Sequence, residues 1–199
     1  MIYFDHAATA FPKAPDVAEA VALFLNQAAG NPGRGGHRLT VAASRVVEGA
    51  REDVASLLGG DPERTVFGPG ATYWINSVLA SRLKAGDRVV TTSLEHNAVM
   101  RPLHWFEKKR RIKLVTIKGR SSDAVPSVDE IVASVTRATT SLVVMTHASN
   151  VTGCVLPVAE VAHAVSPVPV LVDAAQTVGS LPINFAKIGA AALVASGHK

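Results

Sequence analysis

The sequence predicts an α/β protein, a mostly parallel sheet with helices on both faces. Two observations carry that expectation. Short apolar runs alternate with amphipathic helical stretches along nearly the whole chain, the pattern of strands joined by crossover helices. Residues 141–145, 168–172 and 190–195 are apolar almost throughout instead of at alternate positions, as strands buried on both faces are. The last two runs end in polar residues, Asp173 with Gln176 in one case and Ser196, Gly197, His198 and Lys199 in the other. Strand carboxyl ends line the ligand crevice of an open α/β sheet. A carboxylate and a lysine delivered there point to chemistry before they point to packing.

Bulk properties fit a folded protein. The 199 residues suffice for one good-sized domain with its own core, and 48% hydrophobic against 18% charged residues excludes a disordered chain. The net charge of +4 is mild, and the one dense basic run, Lys108 to Arg111, suits a solvated helix end. Nucleic acid is therefore not an expected partner. No stretch approaches the ~20 apolar residues a membrane span needs, and the first residues lack the pattern of a signal peptide. Cys154 is the single cysteine, which permits no internal disulfide and fits the cytoplasm. Seven histidines invite a zinc reading, but neither His-Glu-x-x-His nor a cysteine cluster occurs, so no metal is expected.

In chain order, residues 2–12 read as an extended arm with a polar tip at Asp5 and His6. Pro15 opens a helix through Val17, Val21, Phe24 and Leu25 that Gly30 stops. Residues 31–38, with Gly33, Gly35 and Gly36 among Arg34, His37 and Arg38, form a glycine-rich loop. Thr40 is expected to cap a long amphipathic helix that ends at Gly59. A short strand at 65–67, a tight turn at Gly68, Pro69 and Gly70, and a helix through Ile75, Val78 and Leu79 come next. Strand, glycine turn and helix together aim backbone N–H groups at an anion. The Gly-Lys-Ser/Thr ending of a nucleotide loop is absent.

Strand 88–92 leads to Glu95, His96 and Asn97, and then to a helix in which His104 and Trp105 read as packing. Strand 112–118, a polar loop, and a helix opened by a Ser127/Glu130 capping box precede strand 141–145. That strand ends in Thr146, His147, Ala148, Ser149 and Asn150. There is no internal repeat or linker, and residues 1–199 read as one unit.

Asp173 and Lys199 together suit pyridoxal phosphate: a lysine amine condenses with its aldehyde, and a carboxylate keeps its ring nitrogen protonated. Val-Asp-Ala-Ala-Gln followed by Ser-Gly-His-Lys resembles the class V, fold-type I enzymes of this cofactor, closest to the cysteine desulfurase and selenocysteine lyase branch. The similarity runs from Ile2 to Lys199 with the motifs in family order. It implies that residues 1–199 are an N-terminal arm plus most of the cofactor-binding large domain. The rest of that domain, a small C-terminal domain, a carboxylate-binding arginine and the sulfur-accepting cysteine would all follow Lys199. Cys154, which belongs to the Asn150 turn, does not replace that cysteine.

The resemblance also implies roles. Lys199 would carry the cofactor and His96 would stack on its ring and move protons; a strand-end His that is merely a satisfied polar residue is the other reading. The family's Gly-Thr-Thr-Glu-x-x-Asn phosphate turn is matched at Gly70, Thr72 and Asn76, while Ala71 and Tyr73 depart from it. Ala71 and Thr72 would thus hold the phosphate, with one hydroxyl fewer than the family pattern offers. Asn150, Asp173, Gln176, Ser196 and His198 complete the implied cofactor set. Asn150, His37 and Arg38 would meet the substrate, although a flexible surface loop is the alternative for the last two.

The implied activity is a cysteine desulfurase, taking sulfur from L-cysteine or a similar amino acid to leave alanine and an enzyme persulfide. A class V aminotransferase or another lyase, and a non-catalytic fragment or subunit, are the alternatives. A homodimer or a complementing chain would cover apolar surface that the half-domain leaves open.

Overall fold

The computed structural model describes residues 2–120 and 125–199, so the polar loop expected after residue 118 lies partly outside the described residues. The chain divides into two compact units. The first runs to Val66 and includes His198; the second comprises Phe67–Gly197 with Lys199.

The second unit is built on a five-stranded sheet ordered β2-β1-β3-β4-β5, with every pairing parallel. Its strands are β1 (Arg88–Thr92), β2 (Lys113–Ile117), β3 (Thr140–Thr146), β4 (Val170–Asp173) and β5 (Ala192–Val194). Its helices are α3 (Ala71–Arg82), α4 (Asn97–Arg110), α5 (Val128–Ser134), α6 (Val158–Val165) and α7 (Phe185–Ile188). On one face, Val89, Leu142, Val144, Leu171 and Val194 pack against Ile75 and Leu79 of α3 and Val99, Leu103 and Phe106 of α4. The alternate residues Val90, Val143, Met145, Val170 and Val172 are buried too, which is why these strands read as continuous apolar runs. Truncating any large member of this core to Ala would cost about 2–5 kcal/mol.

The chain leaves β1 for β2 on one side and returns to β3 on the other. The strand order therefore reverses between β1 and β3, where open sheets leave a crevice at their carboxyl ends. The capping box is present at α5: the Ser127 hydroxyl accepts from the Glu130 amide, and the Glu130 carboxylate accepts from the Ser127 amide.

The first unit holds α1 (Val17–Gln27), α2 (Arg38–Leu58) and a 3-10 turn at Pro62–Arg64. α1 begins after Asp16, which adopts left-handed backbone, two residues beyond the expected Pro15 start, and it buries none of its residues. α2 begins before Thr40, which lies inside its first turn; the N-cap is His37. Residues 65–67 form no strand. Val66 and Phe67 are exposed, and no described strand lies beside them to take their backbone hydrogen bonds. Among the described residues, no helix is long and apolar enough to cross a membrane.

Candidate active site

Four strand ends of the second unit bring its candidate residues together. At β4, Asp173 is buried at 4% exposure, and its Oδ1 accepts from the Ala175 amide at 3.0 Å. The Asp173 carbonyl accepts from the His147 amide at 2.8 Å, and the Ala174 amide donates to the Val194 carbonyl, locking the ends of β3, β4 and β5. Burial raises the Asp173 carboxyl above the usual carboxylate range; the Ala175 amide, a protonated His96 and the charge of Lys199 act in the opposite sense. His96 from the β1 end and Lys199 beyond β5 are thus within electrostatic reach of Asp173, the grouping expected from the three strand-end motifs.

His96 is the N-cap of α4, and its Nδ1 accepts from the Ala98 amide at 3.1 Å. A backbone amide can only donate, so Nδ1 presents its lone pair and the neutral ring carries its proton on Nε2. The imidazole is otherwise exposed. Beside it, α3 starts at a turn that only glycine suits. Gly70 has φ 137°, and a Cβ on Gly68 would collide with the Trp74 indole. The amides of Ala71, Thr72 and Tyr73 open the helix, where no intrahelical acceptor is available to them. Thr72 is exposed, and its carbonyl accepts from the Asn76 amide nitrogen at 2.7 Å. Thr72, Asn76 and His96 also line one pocket of about 570 Å³, together with Arg101 and Trp105. His104 and Trp105 do not pack inward as expected: both are exposed, His104 beside Glu107 at 3.3 Å and Trp105 edge-on to Phe106.

Asn150 is exposed on the turn after β3, a turn tied by the Ser149 hydroxyl, which accepts from the amides of Val151 and Thr152. Gln176 and Ser196 are partly buried in the segments that follow β4 and β5. Cys154 is likewise partly buried. His37, Arg38 and His198 belong to the first unit. His37 Nε2 lies 2.9 Å from the Thr40 hydroxyl, and Arg38 is exposed at the start of α2. The His198 carbonyl accepts from the Ala10 amide and the Thr9 hydroxyl.

Two residues at the β1 end were not singled out from the sequence. Thr92 is fully buried, and its hydroxyl donates to Glu95 Oε1 at 2.6 Å. Glu95 as a residue is half-buried, but its carboxyl lies below the surface and Oε2 has no hydrogen-bond partner among the described residues. Desolvation pushes this carboxyl up to about 8, with the charge of Asp173 adding to the rise and the Thr92 hydroxyl and Thr146 amide opposing it. Glu95 stands next to His96 in the sequence, and that adjacency was the one available signal. Among the described residues, no cluster of His, Cys, Asp or Glu is placed to hold a metal ion.

Comparison with known proteins gives this geometry its family. The model of the class-V aminotransferases matches residues 2–199. A probable cysteine desulfurase of Aeropyrum pernix is 32% identical over all of this chain and 49% of its own length. A cysteine desulfurase of Nostoc is 34% identical over all of this chain and 50% of its own. Among solved structures, the apo cysteine desulfurase of Thermococcus onnurineus superposes with a TM-score of 0.91 at 32% identity, covering 100% of this chain and 50% of that one. The chain thus spans about half the length of these relatives. With the parallel sheet, the strand-end carboxylate and the lysine in their family order, the chain belongs to the class-V aminotransferase family of enzymes.

Proposed function

We propose that this chain is the cofactor-bearing part of a pyridoxal phosphate enzyme that takes sulfur from L-cysteine, the activity named for the relatives above. The observation that carries the reading is the convergence of Asp173, His96 and Lys199 at the carboxyl end of one sheet, beside the open N-terminus of α3.

The residues present fit the cofactor. A doubly charged phosphate suits the first-turn amides of α3 and the Thr72 hydroxyl, where no acidic side chain occupies the first turn. A protonated ring nitrogen suits Asp173, whose buried carboxyl is raised by desolvation and whose ionised form a neighbouring cation favours. Pyridoxal phosphate supplies an aldehyde for an amine and a ring that accepts electrons. Lys199 is the amine that would hold it, with Gln176, Ser196 and His198 as further contacts taken from the resemblance. His96, fixed by its cap with the proton on Nε2, would lie against the ring and donate that proton.

In the overall reaction the Cβ–S bond of cysteine breaks. The sulfur joins a thiolate, which is oxidised to a persulfide, while the carbon fragment keeps the electron pair, gains a proton and leaves as alanine. Asn150, with His37 and Arg38 by resemblance, would hold the substrate. By resemblance, the accepting thiol would belong to the part of the relatives that this chain does not span. A second chain, a further copy or a complementing one, suits the exposed Val21, Leu23 and Leu25 of α1. With a single cysteine, the cytoplasm is the proposed compartment.

The test uses the full-length protein. L-cysteine should give alanine and sulfide, and an amino acid offered with a keto acid should show little transamination. His96→Ala should slow alanine release by about 10²–10⁴. Rapid keto-acid turnover without alanine from cysteine would replace this reading with an aminotransferase.

A further inference from the structure

We infer that Glu95 is a positioning residue held as the neutral acid, which fixes the β1–α4 turn carrying His96 and leaves Asp173 to bear the negative charge at this end of the sheet. This rests on the reading of that sheet end as the cofactor site.

The geometry is specific. The Thr92 hydroxyl oxygen accepts from the Leu94 amide at 3.3 Å, which leaves its hydrogen for Glu95 Oε1 at 2.6 Å. An ionised carboxylate wants several donors on both oxygens. Oε2 is buried with no donor in hydrogen-bond geometry among the described residues, and burial outweighs what the Thr92 hydroxyl and the amides of Thr146 and Thr92 give the ionised form. The groups around it reinforce this. Asp173 on β4 acts on Glu95 directly, and its charge opposes a second one. Lys199 beyond β5 acts on Asp173 and favours its ionised form, as His96 at the α4 N-cap does whenever its ring is protonated. β1 and β3 contribute only Thr92 and Thr146, neither of which titrates near neutrality.

Two carboxyl groups within reach of each other's charge divide their roles by environment: the one with a cation nearby ionises, and the one without stays protonated. Neutral Glu95 spares Asp173 a like charge that would push its carboxyl up further and disfavour its ionised form. The Thr92–Glu95 hydrogen bond meanwhile ties residue 95 back to the end of β1, so that His96 enters α4 as its cap. A structural carboxylate would be replaced poorly by Gln; a neutral acid is replaced well.

The experiment is an infrared difference spectrum of full-length holoprotein against its Glu95→Gln variant, read across pH and paired with denaturant unfolding. Wild type should show a buried carboxylic-acid carbonyl band at pH 7 that Glu95→Gln lacks and that fades around pH 8. In the unfolded chain Glu95 loses its proton near 4.5, whereas in the fold it keeps it to about 8. The folded state therefore binds more protons across that window, and wild-type stability falls with rising pH. Relative to Glu95→Gln, the wild-type folding equilibrium constant should drop by about tenfold per pH unit in that window and level off above it. Thr92→Val removes a donor that favours ionisation, so it should move the fading of the band to higher pH.

No acid band at pH 7, identical pH dependence of unfolding in wild type and Glu95→Gln, or an unmoved midpoint in Thr92→Val would each overturn the inference. A pyridoxyl adduct on a lysine other than Lys199 would instead overturn the cofactor assignment and leave the Glu95 titration standing.

Discussion

The two ends of the sheet in the second unit treat their polar groups differently. At the amino end, Asp87 accepts from the Lys84 amide at 2.6 Å through Oδ2 and from the Ser141 hydroxyl at 2.9 Å through Oδ1. Arg88 donates to the Thr140 hydroxyl at 2.8 Å, and the Thr140 hydroxyl in turn accepts from the Thr136 amide. Both carboxylate oxygens of Asp87 have a donor. At the carboxyl end, Asp173 accepts from the Ala175 amide through Oδ1, and Glu95 accepts from the Thr92 hydroxyl through Oε1 while its buried Oε2 has no partner among the described residues. Both carboxyls are raised by burial. Under-satisfied buried acids cost stability, and such groups collect where a protein does chemistry. The amino end satisfies its polar groups within the fold, and the carboxyl end, with its buried carboxyls less satisfied, is the end proposed above as the cofactor site.

Asp173→Ala is the change that tests this contrast most severely. Removing one partner of a buried charged pair costs about 3–5 kcal/mol, or roughly two to four powers of ten in rate. Turnover of cysteine by the full-length protein should fall by that much while its circular dichroism melt stays close to wild type. Near-normal turnover would show that another group supports the cofactor ring. Asp87→Ala should behave in the opposite way. It leaves the Lys84 amide and the Ser141 hydroxyl without their acceptor, for a stability loss of about 1 kcal/mol, and turnover per folded molecule should not change. Lost activity in folded Asp87→Ala would erase the division between the two ends.

The contrast was half legible in the sequence. β1 has the predicted bounds, and the apolar runs that became β3, β4 and β5 differ from the observed strands only at their ends, because strands buried on both faces leave an unbroken hydrophobic signal. The strand-end positions of Asp173 and His96 followed from that register. Depth did not. Glu95 next to an exposed His96 reads as one more polar turn residue, and only the fold shows that its carboxyl turns inward under Thr92. The expected strand at 65–67 failed for a related reason: β-propensity in Val66 and Phe67 is realised only where a neighbouring strand takes the hydrogen bonds. Thr40, a good capping residue by type, lies inside the first turn of α2 because the helix starts at Arg38. Trp105 and His104 point outward because α4 turns Val99, Leu103 and Phe106 to the core instead.

The most direct measurement of the central claim is the site of cofactor attachment. Full-length protein loaded with pyridoxal phosphate should be reduced with borohydride, digested and mapped by mass spectrometry. The carboxyl end of the sheet as the cofactor site predicts the pyridoxyl group on Lys199. A pyridoxyl group on Lys187, or on any other lysine with Lys199 unmodified, would contradict it.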